Sequence, residues 1–257
     1  MDKELRVIAG WEFTPDDLFE EDSDLSEPGY EIHAAKGTFS VTVTEQLSRS
    51  DETIRDDVER KLQSLLSGAQ LQEHKPTSLS LKNFSRATDD GRRGVTIFVP
   101  TALMTISGMP VDFVVKDKDG NIITDTKADR VRGKQANAKR VRRHGDDPTL
   151  RAITASFQAA LNDPDNALVH IYEIRDALKT KFGGEREALQ VLDVGSEWRS
   201  IGRLANNTEI RQGRHRGIYR AAGLREATTE ELNQARESAS RIIGAYLDHL
   251  DGASCAG

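Results

Sequence analysis

Residues 127–148, KADRVRGKQANAKRVRRHGDDP, stand where the chain changes character. Eight Lys/Arg and a single acid, Asp129, precede Gly145. Upstream, β-branched and aromatic residues gather in short alternating runs; downstream, apolar residues recur at helical spacing. The segment itself predicts a basic helix or linker, closed by Gly145 and Pro148, that joins two domains. The expected fold class is therefore α+β. A β-rich N-terminal domain with one helix covers 1–126, a basic connector covers 127–147, and an all-α helical bundle covers 148–257.

Working outward toward the N-terminus, PVDFVVKDKDGNIITD (110–125) reads as a hairpin whose DKDGN turn supplies a glycine for positive φ. GVTIFVP (94–100), SLSLKNF (78–84), Thr38–Thr44 and Tyr30–His33 read as further strands. Between them Asp51 is a good N-cap. Ile54, Val58, Leu62, Leu65 and Leu66 then recur at helical spacing, and Gly68 is placed to stop that helix. The acidic stretch EFTPDDLFEEDSDLSEPG (12–29) lacks the alternating carboxylates of a calcium loop and reads as a solvated loop.

Toward the C-terminus, Asp163 is expected to cap a helix with Pro164 in its first turn. Leu168, Ile171, Tyr172, Leu178 and Phe182 form its apolar face, and Gly183–Gly184 end it. Two short helices follow, Glu185 to Val194 and Ser196 to Asn206. The last helix is announced by TTEE (228–231), a capping box from Thr228 to Glu231. Its stripe is Leu232, Ala235, Ala239, Ile242, Ile243, Tyr246 and Leu250.

Charge is unevenly spread over the 257 residues. The formal net charge is −6, yet residues 1–126 hold 14 Lys/Arg against 24 Asp/Glu, and residues 127–225 hold 20 against 12. A basic middle of this kind could meet a polyanion. Hydrophobic residues at 37% and charged residues at 30% mark a soluble globular chain. No apolar run is long enough to span a membrane, and the acidic N-terminus is unlike a secretory signal, so no membrane partner and a cytoplasmic location are expected. The lone Cys255 leaves no room for a disulfide framework or a Cys-rich zinc site, and no metal ligand set or cofactor is expected.

The densest basic cluster is IRQGRHRGIYR (210–220). It carries Arg211, Arg214, Arg216 and Arg220 around His215, with Arg225 just beyond. Arginine suits planar oxyanions, which accept two parallel hydrogen bonds from one guanidinium. An imidazole flanked by Gly213 and Gly217 can exchange a proton near neutral pH. Together these could serve metal-independent RNA cleavage: a base takes the 2′-hydroxyl proton, the oxygen attacks its own phosphorus, and guanidinium groups steady the charge. The same residues could equally form a surface that binds an acidic partner. His170 and Glu173 lie one turn apart on the 163–182 helix, where an exposed polar pair is the plainer reading. No dinucleotide fingerprint, phosphate loop or G-x-S-x-G elbow occurs.

Residues 150–250 resemble the helical HEPN superfamily, whose members include RNases of toxin–antitoxin and phage-defence systems. The resemblance rests on NALVHIYEIRDALKTKFGG, on a bend carrying Arg and His, and on TEELNQARESASRIIGAYLDHL. Family nucleases place four to six residues between the arginine and the histidine; here Arg211 and His215 are separated by three, QGR. The resemblance implies His215 as base or acid, Arg211 as phosphate ligand, and a homodimer through the helical domain. On that reading Arg203, Asn206, Arg214, Arg216 and Arg220 would contact RNA, and Lys139, Arg140, Arg142 and Arg143 of the connector would add phosphate contacts. The N-terminal domain would bind a regulatory protein or ligand. The competing expectation is a non-catalytic interaction or dimerisation module whose arginine-rich face binds an acidic partner.

Overall fold

A computed structural model describes residues 6–45, 48–87, 93–97, 112–116, 121–206, 209–214 and 223–255. The chain is α+β and divides into two compact units, residues 1–73 with 77–139, and residues 74–76 with 140–257.

In the first unit, strands β1 (Val7–Thr14), β2 (Ser23–Asp24), β3 (Tyr30–Ala35), β4 (Thr38–Val43), β5 (Ser78–Ala87) and β6 (Arg93–Ile97) form an antiparallel sheet in the order β2-β3-β4-β1-β5-β6. Alternation fixes which face is buried. Val7, Ala9, Trp11 and Phe13 of β1 point inward with Phe39, Val41 and Val43 of β4, and Trp11 pairs with Phe39 in register. The helix α1 (Asp51–Glu73) lays Ile54, Val58, Leu62, Leu65 and Leu66 into the same core. The hairpin expected in 110–125 is present as β7 (Val114–Lys116) paired with β8 (Ile122–Asp125); its turn lies outside the described residues.

Several expectations need correction here. The N-cap of α1 is Ser50, not Asp51: its Oγ accepts from the Thr53 N–H at 3.2 Å. Gly68 does not end α1, which runs on to Glu73. A Cβ at Gly68 would meet Ala138 Cα at 2.5 Å, so the glycine is used for close backbone approach to the helix α2 (Thr126–Arg143). Nor is 12–29 a solvated loop. Phe13, Leu18, Phe19 and Leu25 are buried, and Phe13 and Phe19 pack ring to ring with Phe39 at 4.7–5.8 Å. Its Glu20 accepts hydrogen bonds from Arg130 (2.7 Å from both Nε and Nη2) and from Lys134 (2.7 Å), which also reaches Glu73 at 2.6 Å. The acids of this stretch thus answer the basic helix that follows in sequence by more than a hundred residues.

A further correction concerns Asp163. In the second unit, Asp147 caps α3 (Pro148–Asn162), accepting from the Leu150 N–H at 2.7 Å with Pro148 in the first turn. Asp163 closes α3 and opens a 3-10 turn (Pro164–Asn166), while α4 (Ala167–Phe182) begins only afterwards. Instead of capping backbone, the Asp163 carboxylate accepts from the Asn166 side chain at 2.7 Å. Gly183, at φ +81, ends α4. Helices α5 (Glu185–Leu192), α6 (Gly195–Asn206) and α7 (Thr229–Cys255) complete the bundle. The capping box at the start of α7 is formed: Thr228 Oγ1 accepts from the Glu231 N–H at 3.2 Å, and Glu231 accepts from the Thr228 N–H at 2.9 Å. Ala235, Ala239, Ile242, Ile243 and Tyr246 of its stripe are fully buried. No helix among the described residues is long and apolar enough to cross a membrane.

Candidate functional site

In the second unit, the face where α4 meets α6 gathers arginines and aromatic rings. Arg175 stands on α4 between Ile171 and Leu178, on the stripe that packs inward. It is 8% exposed. Its guanidinium lies over the Trp198 ring at 4.7 Å and over the Tyr172 ring at 4.8 Å, measured to the centroids. Arg214 lies over the same Tyr172 ring at 4.0 Å. Each such contact contributes about 0.5–2 kcal/mol, more where water is excluded.

Local sequence makes this seat possible. Gly202 of α6 faces Arg175 so closely that a Cβ would stand 2.2 Å from Nη1. Any side chain there would evict the guanidinium. The carboxylate closest to Arg175 is Glu185, at 3.4 Å from Nη2 and half exposed. Arg175 Nε is buried without a hydrogen-bond partner, as are Ser200 Oγ and Asn206 Oδ1. A buried polar group left unpaired costs about 1–3 kcal/mol, and with Trp198 Nε1 four such atoms belong to residues gathered at one place.

These atoms border an open depression of about 580 Å³ between α4, α5, α6 and α7, lined by Arg175, Arg199, Ser200, Arg203, Asn206 and Gln234 among others. Arg199 and Arg203 are exposed one turn apart on α6, and Arg203 donates to Gln234 Oε1 at 3.4 Å. Arg199 makes no ion pair among the described residues. The arrangement can hold an anion by several guanidinium groups.

Of the residues expected from sequence, Arg203 and Asn206 line this depression; Arg214 lies outside its lining, stacked on Tyr172 with Nη1 3.6 Å from the Asp176 carboxylate. Arg211 does not. Its Nη2 donates to Asp165 at 2.6 Å and its Nε pairs with Glu226 at 3.1 Å. Its backbone N–H donates to the Arg225 carbonyl at 2.9 Å. Arg211 thereby ties the segment 209–214 to the 3-10 turn and to 223–226. His215, Arg216 and Arg220 lie outside the described residues. Arg225 is engaged by Glu231 through two bonds of 2.6 and 2.7 Å. That pairing is the first cause that holds the Glu231 carboxyl down at about 2.

The basic connector residues lie elsewhere. Lys139 is exposed in the first unit. Arg140 is bound by Asp251 at 2.8 Å and by Asp248, Arg143 reaches Asp251 at 3.4 Å, and His144 Nε2 lies 2.7 Å from the same carboxylate. Arg142 shares this helix end, half-buried. The His170 and Glu173 pair is present at 3.4 Å, with Ser156 Oγ donating to Glu173 at 3.1 Å and Asp163 at 3.3 Å from His170 Nε2.

Sequence reasoning missed Arg175, Arg199, Tyr172 as a stacking surface, Trp198 and Gln234. A signal existed for the first. Leu168, Ile171, Arg175 and Leu178 follow one another at spacings of three and four, so an arginine occupies a core position of an amphipathic helix. No protein-family model, no curated protein and no solved structure matches this chain.

Proposed function

We propose that the helical unit binds single-stranded RNA along the α4–α6 face. Arg199 and Arg203 meet phosphates there, and the Arg214 guanidinium, stacked on the Tyr172 ring, offers a flat surface to a base. The observation that carries this reading is the run of Arg214, Tyr172, Arg175 and Trp198 in mutual contact beside the depression that holds Arg199 and Arg203. Guanidinium groups track a phosphate backbone, and aromatic faces accept any base, which is the recurring composition of single-strand binders. The resemblance to HEPN nucleases supports RNA as the polyanion and a dimer as the working form. Cleavage, with His215 as base and Arg211 as phosphate ligand, is the chemistry the resemblance implies.

The test is binding of a labelled single-stranded RNA, followed by fluorescence anisotropy at several salt concentrations. The wild type should bind with an affinity that falls steeply with salt. The double variant R199A/R203A should bind at least tenfold more weakly, with a log–log salt slope shallower by about 1.4, since each single-strand phosphate contact contributes about 0.7. Folded wild type that leaves RNA free at low salt overturns the reading. It would move the arginine-rich face to the competing role, a non-catalytic surface for an acidic protein partner.

A further inference from the structure

We infer that the depression lined by Arg175, Arg199 and Arg203 is a seat for a phosphate monoester, the terminal phosphate of an RNA strand or of a mononucleotide, and that the Glu185 carboxylate occupies that seat when no ligand is bound. This rests on the RNA reading above and specifies the chemistry of its deepest point.

The argument starts from Arg175. A guanidinium taken almost wholly out of water needs compensation, and a single half-exposed carboxylate at 3.4 Å is a weak partner for it. Its Nε, buried and unpartnered, leaves one edge of the fork unused. Two rings and Gly202 nevertheless hold the group in place. A cation this firmly positioned and this poorly paired is suited to an anion that brings more charge and more acceptor oxygens than a carboxylate. A phosphate monoester has both: it approaches two negative charges near neutral pH and presents three free oxygens. A diester within a strand carries one charge and is flanked by sugars on both sides, which suits the exposed Arg199 and Arg203 better than the half-closed position of Arg175.

The remaining lining agrees with this. Glu185, the carboxylate in the lining of the depression, stands at Arg175 itself. Ser200 Oγ, buried and unpartnered, can donate to a phosphate oxygen. The depression, at about 580 Å³, lies in the size range of sites for small ligands and exceeds the needs of an ion alone.

The experiment compares three forms of one short RNA, ending in 5′-phosphate, 3′-phosphate or hydroxyl at both ends, with adenosine 5′-monophosphate, adenosine and inorganic phosphate alongside. Calorimetry on the full chain gives the affinities. One phosphorylated end should bind about tenfold tighter than the hydroxyl form, and which end does so identifies the strand polarity; binding of the monophosphate with no strand advantage would identify a free mononucleotide as the source. E185Q should tighten the phosphorylated ligand several-fold and leave the hydroxyl form unchanged. R175K keeps charge and bulk but loses the fork, and should erase the preference. E185Q does not disturb the core, so the proposal stays open to refutation even if R175K unfolds. RNA that binds with all ends equal, or a preference indifferent to E185Q, overturns the monoester seat while the RNA reading stands. No binding of any ligand overturns both.

Discussion

Gly68 of α1 and Ala138 of α2 meet backbone to backbone: a Cβ at position 68 would lie 2.5 Å from the Ala138 Cα and 2.5 Å from the Asn137 carbonyl oxygen. Ala138 is fully buried in the core shared with the sheet. Gly133 makes a second tight approach on α2, where a Cβ would touch the side chain of Gln72. The two helices are therefore held at a distance that only small residues permit.

Gly68→Ala follows from this contact. Alanine raises helix propensity by about 1 kcal/mol, which at an exposed site would stabilise α1. Here the added methyl meets backbone that cannot rotate away, and overpacking costs about 1–3 kcal/mol or more. The net effect should be destabilising, read as a lower urea midpoint with an unchanged m-value. A midpoint equal to or above that of the wild type would show that the helices can part without cost.

Glu20 provides a pH prediction. Hydrogen bonding from Arg130, helped by Lys134, pulls its carboxyl from 4.5 down to about 2. A group depressed on folding stabilises the native state above its unfolded value and loses that contribution as pH falls toward the folded value. The contribution of Glu20 is thus complete above about pH 4.5 and fades toward pH 2. With the Glu20 side chain 15% exposed, its worth is about 2–3 kcal/mol at neutral pH. Glu20→Gln should lower stability by about that amount at pH 7 and by much less at pH 2.5, where the pH has fallen most of the way from the unfolded to the folded value of Glu20. A gap that stays constant across this range would sink the assignment.

At the start of α7, Thr228 and Glu231 do different amounts of work. Thr228 contributes one cap, and Thr228→Ala should cost about 1 kcal/mol. Glu231 closes the capping box and also receives both arms of Arg225. Glu231→Ala should cost about twice as much, since bidentate charge-assisted bonds are the stronger kind. Thermal unfolding of the two variants orders them, and an equal loss would mean that the Arg225 bonds contribute nothing.

The fold class was legible because periodicity is local. The alternation of β3 and β4, the α7 stripe and the Thr228–Glu231 box are each contained in a few adjacent residues, whereas β1, the strand between β4 and β5, was not read from them. What escaped was set by partners distant in sequence. Gly68 reads as a stop until Ala138 is known to lie against it. Glu20 reads as a solvated acid until Arg130 and Lys134 arrive from α2. Asp163 reads as a helix cap because its Pro164 neighbour starts a turn that proves to be 3-10. The candidate site was half legible. Arg203, Asn206 and Arg214 announce themselves as basic or polar residues in an arginine-rich region. Arg175 hides inside an apolar stripe and acquires its meaning only from Trp198 and Gly202, which belong to another helix.

Arg211 is the sharpest case for separating binding from chemistry. Its guanidinium is held by Asp165 and Glu226, both exposed, and ion pairs so open to water add little to stability. Arg211→Ala should therefore lower the melting temperature only slightly. Because those carboxylates already occupy the guanidinium, RNA affinity should stay within about threefold of wild type, against the tenfold loss from R199A/R203A. Incubating total RNA with wild type, Arg211→Ala and His215→Ala in EDTA reads the chemistry separately. Fragments made by the wild type and absent from both variants, with binding retained in each, would place Arg211 and His215 in a metal-independent cleavage reaction. RNA left intact by a wild type that still binds it would make Arg211 a tie between the 209–214 segment and its neighbours.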